Sequence, residues 1–211
     1  MPPTRSRVYV RLLVQHRLAR MRLTLASGPA LAGLIEAVLA PGARADVAAG
    51  VRDRLPPIER QWRLDVGCGF RSYLPTEGGI GVDLDEARVR ASRGVAANAC
   101  ALPFADGCFA GVLSVGLLHH LPDAAARQAI AEMLRVSAGR VVVFDGVRPQ
   151  SALARPLAAL VRAMDRGRHM RLEAEVKALF GACAPWRFER VTYARTGLEG
   201  LWCVHETAGG E

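Results

Sequence analysis

Lysine is nearly missing from this 211-residue chain: Lys177 stands alone, and the other Lys and Arg positions, of 28 in all, are arginine. The formal charge of +8 is therefore an arginine charge. Such an imbalance reflects codon usage as much as function, so the basic pI is weak support for nucleic-acid binding, which stays as the lesser alternative. Cysteine is present but unpatterned. There are five, an odd number, with no C-x-x-C spacing and no histidines at zinc-finger distances. That excludes a disulfide framework and a structural zinc site, and points to free thiols in a reducing, cytoplasmic setting. Long apolar runs are lacking too. "GPALAGLIEAVLAPG" is too short to cross a bilayer and carries Glu36, and the Arg-rich N-terminus has no uninterrupted apolar core of a signal peptide. Neither internal repeats nor a low-complexity linker break the chain.

What is there suits one α/β domain with an appendage: 51% of residues are apolar, enough for a substantial core. Residues 1 to 22 contain six arginines and no acid. Val8, Leu12, Leu13 and Leu18 recur there at helical spacing, which predicts a helix that packs on the main domain, covers its site, or meets a membrane surface or RNA. A second helical stretch covers about 29 to 55, and "LPPIE" ends it. The N-terminal helical segment is thus expected over 1–58, with the main domain over 59–207. Either helix offers a surface for a homodimer.

From there strand candidates alternate with helices. "RLDVG", "GIGVDL", a short stretch near "VAANA", "GVLSVG" and "RVVVFD" read as strands, and "DAAARQAIAEMLRV" as the clearest helix. Such alternation implies a Rossmann-like, doubly wound parallel sheet. A helical insertion follows at about 150–185, with Gly167 as a break. The tail "RFERVTYARTGLEGLWCVHE" reads as two strands joined by a turn, which puts one antiparallel strand into the sheet.

The chemistry centres on "RLDVGCGFRSYL", residues 63 to 74. Gly67 and Gly69 end a buried strand, where a sharp turn lets a ligand approach the backbone. Gly-x-Gly alone is shared by nicotinamide, flavin and methyl-transfer domains. Here Asp65 precedes the glycines, Ser72 occupies the third glycine position of the dinucleotide fingerprint, and "FRSYLP" is a poor phosphate-binding helix start. An acid at this point suits an ammonium-bearing ligand without phosphate. Asp83, at the tip of the second strand, suits a pair of ribose hydroxyls, whereas Asp85 and Glu86 suit the start of the next helix.

Together "LDVGCG", "GVDLDEARV", "ALPFADGCF", "VLSVGLLHHLPD" and "RVVVFD" resemble the class I S-adenosylmethionine-dependent methyltransferases. The likeness is closest to the small-molecule branch of ubiquinone and menaquinone biosynthesis, over about residues 62 to 146. The resemblance implies a seven-stranded sheet whose last strand is antiparallel, and S-adenosylmethionine as cofactor. It implies that Asp65, Gly67, Cys68 and Gly69 surround the methionine part. Asp83 would hold the ribose, and Leu84 would pack near the adenine. Asn98 and Ala99 stand where the family has an acid and a small residue, and an asparagine carbonyl still accepts from the adenine amino group. Ser114 and Val115 would line the methionine end. Two departures stand out. Arg71 replaces a frequent glycine, with room for about one helical turn before the second strand, and Ala110 replaces the acid of "FD-x-V".

In methyl transfer from a sulfonium the protein chiefly orients the acceptor, and a base is needed only where the acceptor loses a proton. His119 and His120 are the candidates for that base. Some quinone O-methyltransferases use the position of His120 for a metal, but the accompanying acids are not evident, so no metal is expected. "MDRGRHMR" gathers Arg166, Arg168, His169 and Arg171, and Arg168 with Arg171 are the candidates for meeting a polar acceptor. The absence of Asn/Asp-Pro-Pro-Tyr and of Pro-Cys after the fourth strand argues against adenine, glutamine and cytosine acceptors, and the single lysine excludes a Lys-Asp-Lys-Glu ribose centre. A small or lipid-like acceptor remains. An RNA-modifying enzyme and a binding-only descendant are the alternatives, with a nicotinamide dehydrogenase more distant.

Overall fold

In the computed structural model the described residues are 43–55, 61–92, 94–149, 167–181, 184–192 and 199–206. The arginine-rich helix expected near the N-terminus, the first part of the second helix and most of the insertion lie outside them. The elements are α1 (Ala43–Arg54), β1 (Arg63–Val66), β2 (Gly79–Asp83), α2 (Glu86–Ser92), β3 (Val95–Ala96), β4 (Phe109–Val115), a 3₁₀ turn (Leu118–His120), α3 (Asp123–Val136), β5 (Ser137–Gly146), α4 (Glu173–Phe180), β6 (Trp186–Thr192) and β7 (Glu199–Glu206).

The strands form one seven-stranded sheet in the order β3-β2-β1-β4-β5-β7-β6. Pairing is parallel from β3 to β5, and β7 lies antiparallel between β5 and β6. The tail hairpin is therefore inserted with its last strand inside, as expected. Leu64, Val66, Val112, Leu113 and Val141 to Val143 are buried, because both faces of the central strands are covered. Edge strand β6 instead alternates between half-buried and exposed residues.

Two apolar clusters sit on the two faces. On one, α3 places Ala126, Ala129, Ile130, Met133 and Val136 against Val112, Val141 and Val143, at three- and four-residue spacing. On the other, α1 places Val47, Val51 and Leu55 against Leu113, Val142, Phe144 and Trp202. Glycine allows the close fit: a Cβ at Gly50 would lie 2.5 Å from the Trp202 ring, and one at Gly111 would lie 2.6 Å from Leu55. Two arginines cap the end of α1, Arg63 donating to Leu55 O at 3.4 Å and Arg140 to Arg54 O at 2.7 Å. Cations there complement the negative end of the helix dipole.

Candidate cofactor crevice at the strand tips

Chain order reverses between β1 and β4, so the crevice outside the carboxyl ends of β1 and β2 is the topological switch point of the sheet. Gly67 and Gly69 both have positive φ, +77° and +60°. Gly67 N and Cys68 N donate to Val82 O at 2.7 and 2.9 Å, which locks the turn to β2. The two glycines then differ. A Cβ at Gly67 would meet Leu117 at 3.0 Å, whereas one at Gly69 would meet nothing within 4 Å. Gly67 is a packing glycine and Gly69 faces open space.

Asp83 stands beside that space. Its Oδ2 accepts from Gly69 N at 3.1 Å and its Oδ1 from Asp85 N at 2.9 Å, with Arg88 Nη1 at 3.7 Å. Asp85 takes the other task expected of this acidic run: its Oδ1 accepts from Ala87 N at 3.0 Å, at the start of α2. Next to Asp83 the Leu84 side chain is 66% exposed, the most exposed large apolar residue among those described.

Asp65 is buried beneath the turn. Its Oδ2 accepts from Ser72 Oγ at 2.6 Å and Tyr73 N at 2.9 Å. Burial pushes its pKa up, against those hydrogen bonds and the charge of Arg44, while the Asp83 carboxylate pushes the same way as burial. Ser72 thus holds the turn through the acid. Residues 70–78 contain no helix, although the spacing allowed a turn of one. In its place Arg44 Nη2 donates to Arg71 O at 3.0 Å and Ser72 O at 3.1 Å, with its guanidinium 4.2 Å from the centre of the Tyr73 ring. Arg71 itself is exposed and contributes its carbonyl.

The 98–104 loop is braced from α3. Asn98 Oδ1 accepts from Cys100 N at 2.9 Å, while Leu102 N donates to Glu132 Oε2 at 2.7 Å. Arg135 donates to Leu102 O at 3.1 Å and Phe104 O at 2.8 Å, and its hydrogen bond holds the Glu132 carboxyl below the usual range. Ala99 is half-buried against the core. Ser114 is fully buried, its hydroxyl donating to Val66 O at 2.9 Å, and Val115 is half-buried beside it.

The two histidines part company. His119 is buried, its backbone N donating to Asp145 Oδ2 at 3.1 Å and its Nδ1 lying 2.5 Å from Asp145 Oδ1. His120 is exposed, with its ring centre 4.2 Å from that of His119. Asp145, near the end of β5, was not among the residues singled out from sequence. The available signal was an acid closing an apolar run, the same signal that marked Asp83. The segment after Gly167 covers this turn. His169 N donates to His119 O at 2.9 Å. Arg171, buried, donates to Leu118 O at 2.8 Å, Leu121 O at 2.6 Å and Asp123 Oδ1 at 2.8 Å. That last bond holds the Asp123 carboxyl below its usual range. Arg168 is exposed.

Among the described residues no group of three or more His, Cys, Asp or Glu is placed to hold a metal ion. No described helix is long and apolar enough to cross a membrane. A groove of about 520 Å³ opens at the opposite end of the sheet, lined by Asp53, Arg54, Arg140, Arg187 and Glu189. Its arginines are paired with Glu189 and Glu206, so their charges are answered within the fold.

Strand order and crevice together define a class I methyltransferase fold. Residues 64–143 match the family model described as "Methyltransferase domain", the kind of domain for which S-adenosylmethionine is the methyl donor. Among solved structures, a SAM-dependent methyltransferase of Thermotoga maritima, possible histamine N-methyltransferase, is similar with a TM-score of 0.62 and 17% identity, over 81% of this chain and 92% of that one. The geranyl diphosphate C-methyltransferase of Streptomyces coelicolor A3(2), with Mg²⁺, geranyl diphosphate and S-adenosyl-L-homocysteine, is similar with a TM-score of 0.59 and 12% identity, over 77% of this chain and 80% of that one. The [4+2]-cyclase SpnF has a TM-score of 0.60 and 15% identity, over 78% and 81%. No curated protein matches the chain in sequence.

Proposed function

We propose that the protein methylates a small-molecule acceptor, with S-adenosylmethionine held at the tips of β1 and β2. One observation carries this reading: an exposed Leu84, the Asp83 carboxylate and the open face of Gly69 adjoin at the switch point. An adenosine fits that set, the ribose hydroxyls on Asp83 and the base on Leu84. A pyrophosphate does not, because the Asp83 carboxylate adjoins the same space and no helix follows the turn. Asn98 and Ala99 would border the adenine. Gly67, Cys68 and Gly69, with Ser114 and Val115 behind them, would border the methionine end, and the buried Asp65 would brace the turn under it through Ser72 and Tyr73. When bound, the cofactor supplies an electrophilic methyl group.

The chain's own contribution is then orientation, exclusion of water and, for a protonated acceptor, a base. His119 is the better placed histidine, being buried and oriented by a carboxylate, while His120 lies at the rim. The exposed Arg168 is available to an anionic acceptor group, and Arg171 acts through the turn that it holds. The four described cysteines are free thiols, which supports a reducing, cytoplasmic location.

Calorimetry with S-adenosylhomocysteine and with NADH, on wild type and Asp83→Ala, tests the reading. Saturable S-adenosylhomocysteine binding that the variant loses supports it. Preferential NADH binding overturns it, and steeply salt-dependent RNA binding would move the acceptor to the RNA alternative.

A further inference from the structure

We propose that Arg44, in the first turn of α1, is a positioning residue for the methionine end of the cofactor. It fixes the segment that leaves Gly69, and with it the open face on which that end lies. The role rests on the methyl-transfer reading and extends the cofactor site to a helix outside every motif of the crevice.

Residues 70–78 contain no helix, so the segment after Gly69 has no internal hydrogen-bond ladder to set its course. It is tied from two sides instead. Beneath it, the buried Asp65 Oδ2 accepts from Ser72 Oγ at 2.6 Å and from Tyr73 N at 2.9 Å, and Ser72 Oγ accepts from Leu74 N at 3.0 Å. From α1 a single nitrogen, Arg44 Nη2, donates to Arg71 O at 3.0 Å and to Ser72 O at 3.1 Å. The same guanidinium lies 4.2 Å from the centre of the Tyr73 ring. Gly69, just before this segment, has φ +60° and donates its N–H to Asp83 Oδ2 at 3.1 Å. So short a stretch passes the hold on. Releasing residues 71 and 72 loosens the peptide after Gly69, while Asp83 keeps its place through the pairing of β2 with β3.

Helix α1 itself does not favour a cation at this position. The first turn carries the positive end of the helix dipole, which suits Asp46, and Arg52 and Arg54 in the last turn follow the usual bias. Arg44 stands against the dipole and is answered by the two carbonyls. Its charge also reaches the acid that ties the segment from beneath. Burial pushes the Asp65 carboxyl up, the Asp83 carboxylate adds to that rise, and Arg44 opposes it.

The effect belongs to one end of the ligand. Adenosine would meet Asp83 and Leu84, at and just past the end of β2, whereas the amino-acid end would meet the turn that Arg44 holds. Loss of Arg44 therefore weakens a ligand that has an amino-acid end and spares one that lacks it.

Calorimetry on the full-length protein compares S-adenosylhomocysteine with 5′-methylthioadenosine, which keeps adenosine and sulfur but has no amino-acid end. Arg44→Met retains the apolar stem over Tyr73 and removes the donors. It should weaken S-adenosylhomocysteine by about tenfold or more and leave 5′-methylthioadenosine within about threefold of wild type. Arg44→Lys, whose one ammonium can serve both carbonyls as Nη2 does, should recover most of that loss. Val51→Ala, buried in the same helix, should lower Tm and leave both affinities within about twofold. Equal weakening of the two ligands by Arg44→Met, or weakening of neither, overturns the role, as does a lysine variant no better than methionine. Amide exchange needs no ligand. The Tyr73 N–H should exchange about tenfold faster in Arg44→Met than in wild type, with β4 unchanged, and an unchanged Tyr73 rate overturns the brace. Failure of wild type to bind S-adenosylhomocysteine sinks the methyl-transfer reading instead, and the exchange rates still decide whether Arg44 holds the segment.

Discussion

Replacing Arg171 with alanine should cost stability far out of proportion to its place on a loop. The guanidinium is buried and donates to Leu118 O and Leu121 O. Without it Leu121 O loses that donor, at about 1–3 kcal/mol, and Leu118 O, which keeps the Leu121 N–H at 3.1 Å, loses a charge-assisted hydrogen bond of about 1.5–3 kcal/mol. Taking the lower half of each range gives about 3 kcal/mol. For a chain of 211 residues this corresponds to a fall in Tm of roughly 6–12 °C, at about 2–4 °C per kcal/mol. Arg171→Lys should recover only a minor part, because one ammonium cannot span the Leu118, Leu121 and Asp123 acceptors that the planar fork reaches. Arg168→Ala, at an exposed position, should stay within about 0.5 kcal/mol of wild type. Thermal melts by circular dichroism at matched pH and salt compare the four proteins. If Arg171→Ala melted within about a degree of wild type, the stitching role would be wrong, and Arg171 would return to being an acceptor residue with Arg168.

Other substitutions separate roles around the crevice. Gly67→Ala meets both an unfavourable φ and the Leu117 side chain, so it should lose about 1–3 kcal/mol in denaturant melts, while Gly69→Ala should lose less stability yet weaken S-adenosylhomocysteine binding at least tenfold. Asp65→Asn keeps the acceptor for Ser72 and Tyr73 but removes a buried charge. Because burial raises the Asp65 pKa, the native state holds this proton more tightly than the unfolded chain, and wild-type stability falls as pH rises from the unfolded value through the raised one. The variant should therefore gain stability relative to wild type between pH 4 and pH 8 in paired urea melts, and should bind S-adenosylhomocysteine more weakly; a constant difference across that range would contradict the burial argument. In Asn98 the single carbonyl oxygen already accepts from Cys100 N. Asn98→Asp adds a second acceptor oxygen for the adenine amino group, so calorimetry should show binding tighter by about three- to tenfold, and no change would mean that residue 98 does not face the base.

Legibility in the sequence followed the range of the interactions. Helix α3 is bounded by the residues that periodicity indicates, because its apolar stripe is unbroken and Pro122 precedes it. The β1 and β2 tips were equally plain, since Asp65 stands just before the Gly67 turn and β2 ends at Asp83. The start of β5 was not: the chain passes from Val136 directly into Ser137, with a register shift opposite Phe109 and Gly111, and the strand runs through Ser137 and Gly139, which read locally as a turn. The stretch after Gly69 allowed a helical turn, but Ser72 bonds to Asp65 and Arg44 takes the carbonyls that a helix would have used internally. Arg171 carries no local sign of its partners, which lie about fifty positions upstream. Asp145 stood at the end of "RVVVFD" in full view, but only the folded chain brings it to His119.

Helix α1 precedes every recognisable motif, and its position has a practical corollary for anyone cutting this protein down. A fragment beginning at Trp62 would retain each glycine, acid and histidine of the crevice. It would also uncover Leu113, Val142 and Trp202 and leave Tyr73 without its guanidinium neighbour. Losing the buried Val47, Val51 and Leu55 side chains alone forfeits about 5 kcal/mol, comparable to the entire stability of many small proteins. Such a truncation should come out of expression as aggregate, whereas one starting a few residues before Ala43 retains the lid on that half of the core.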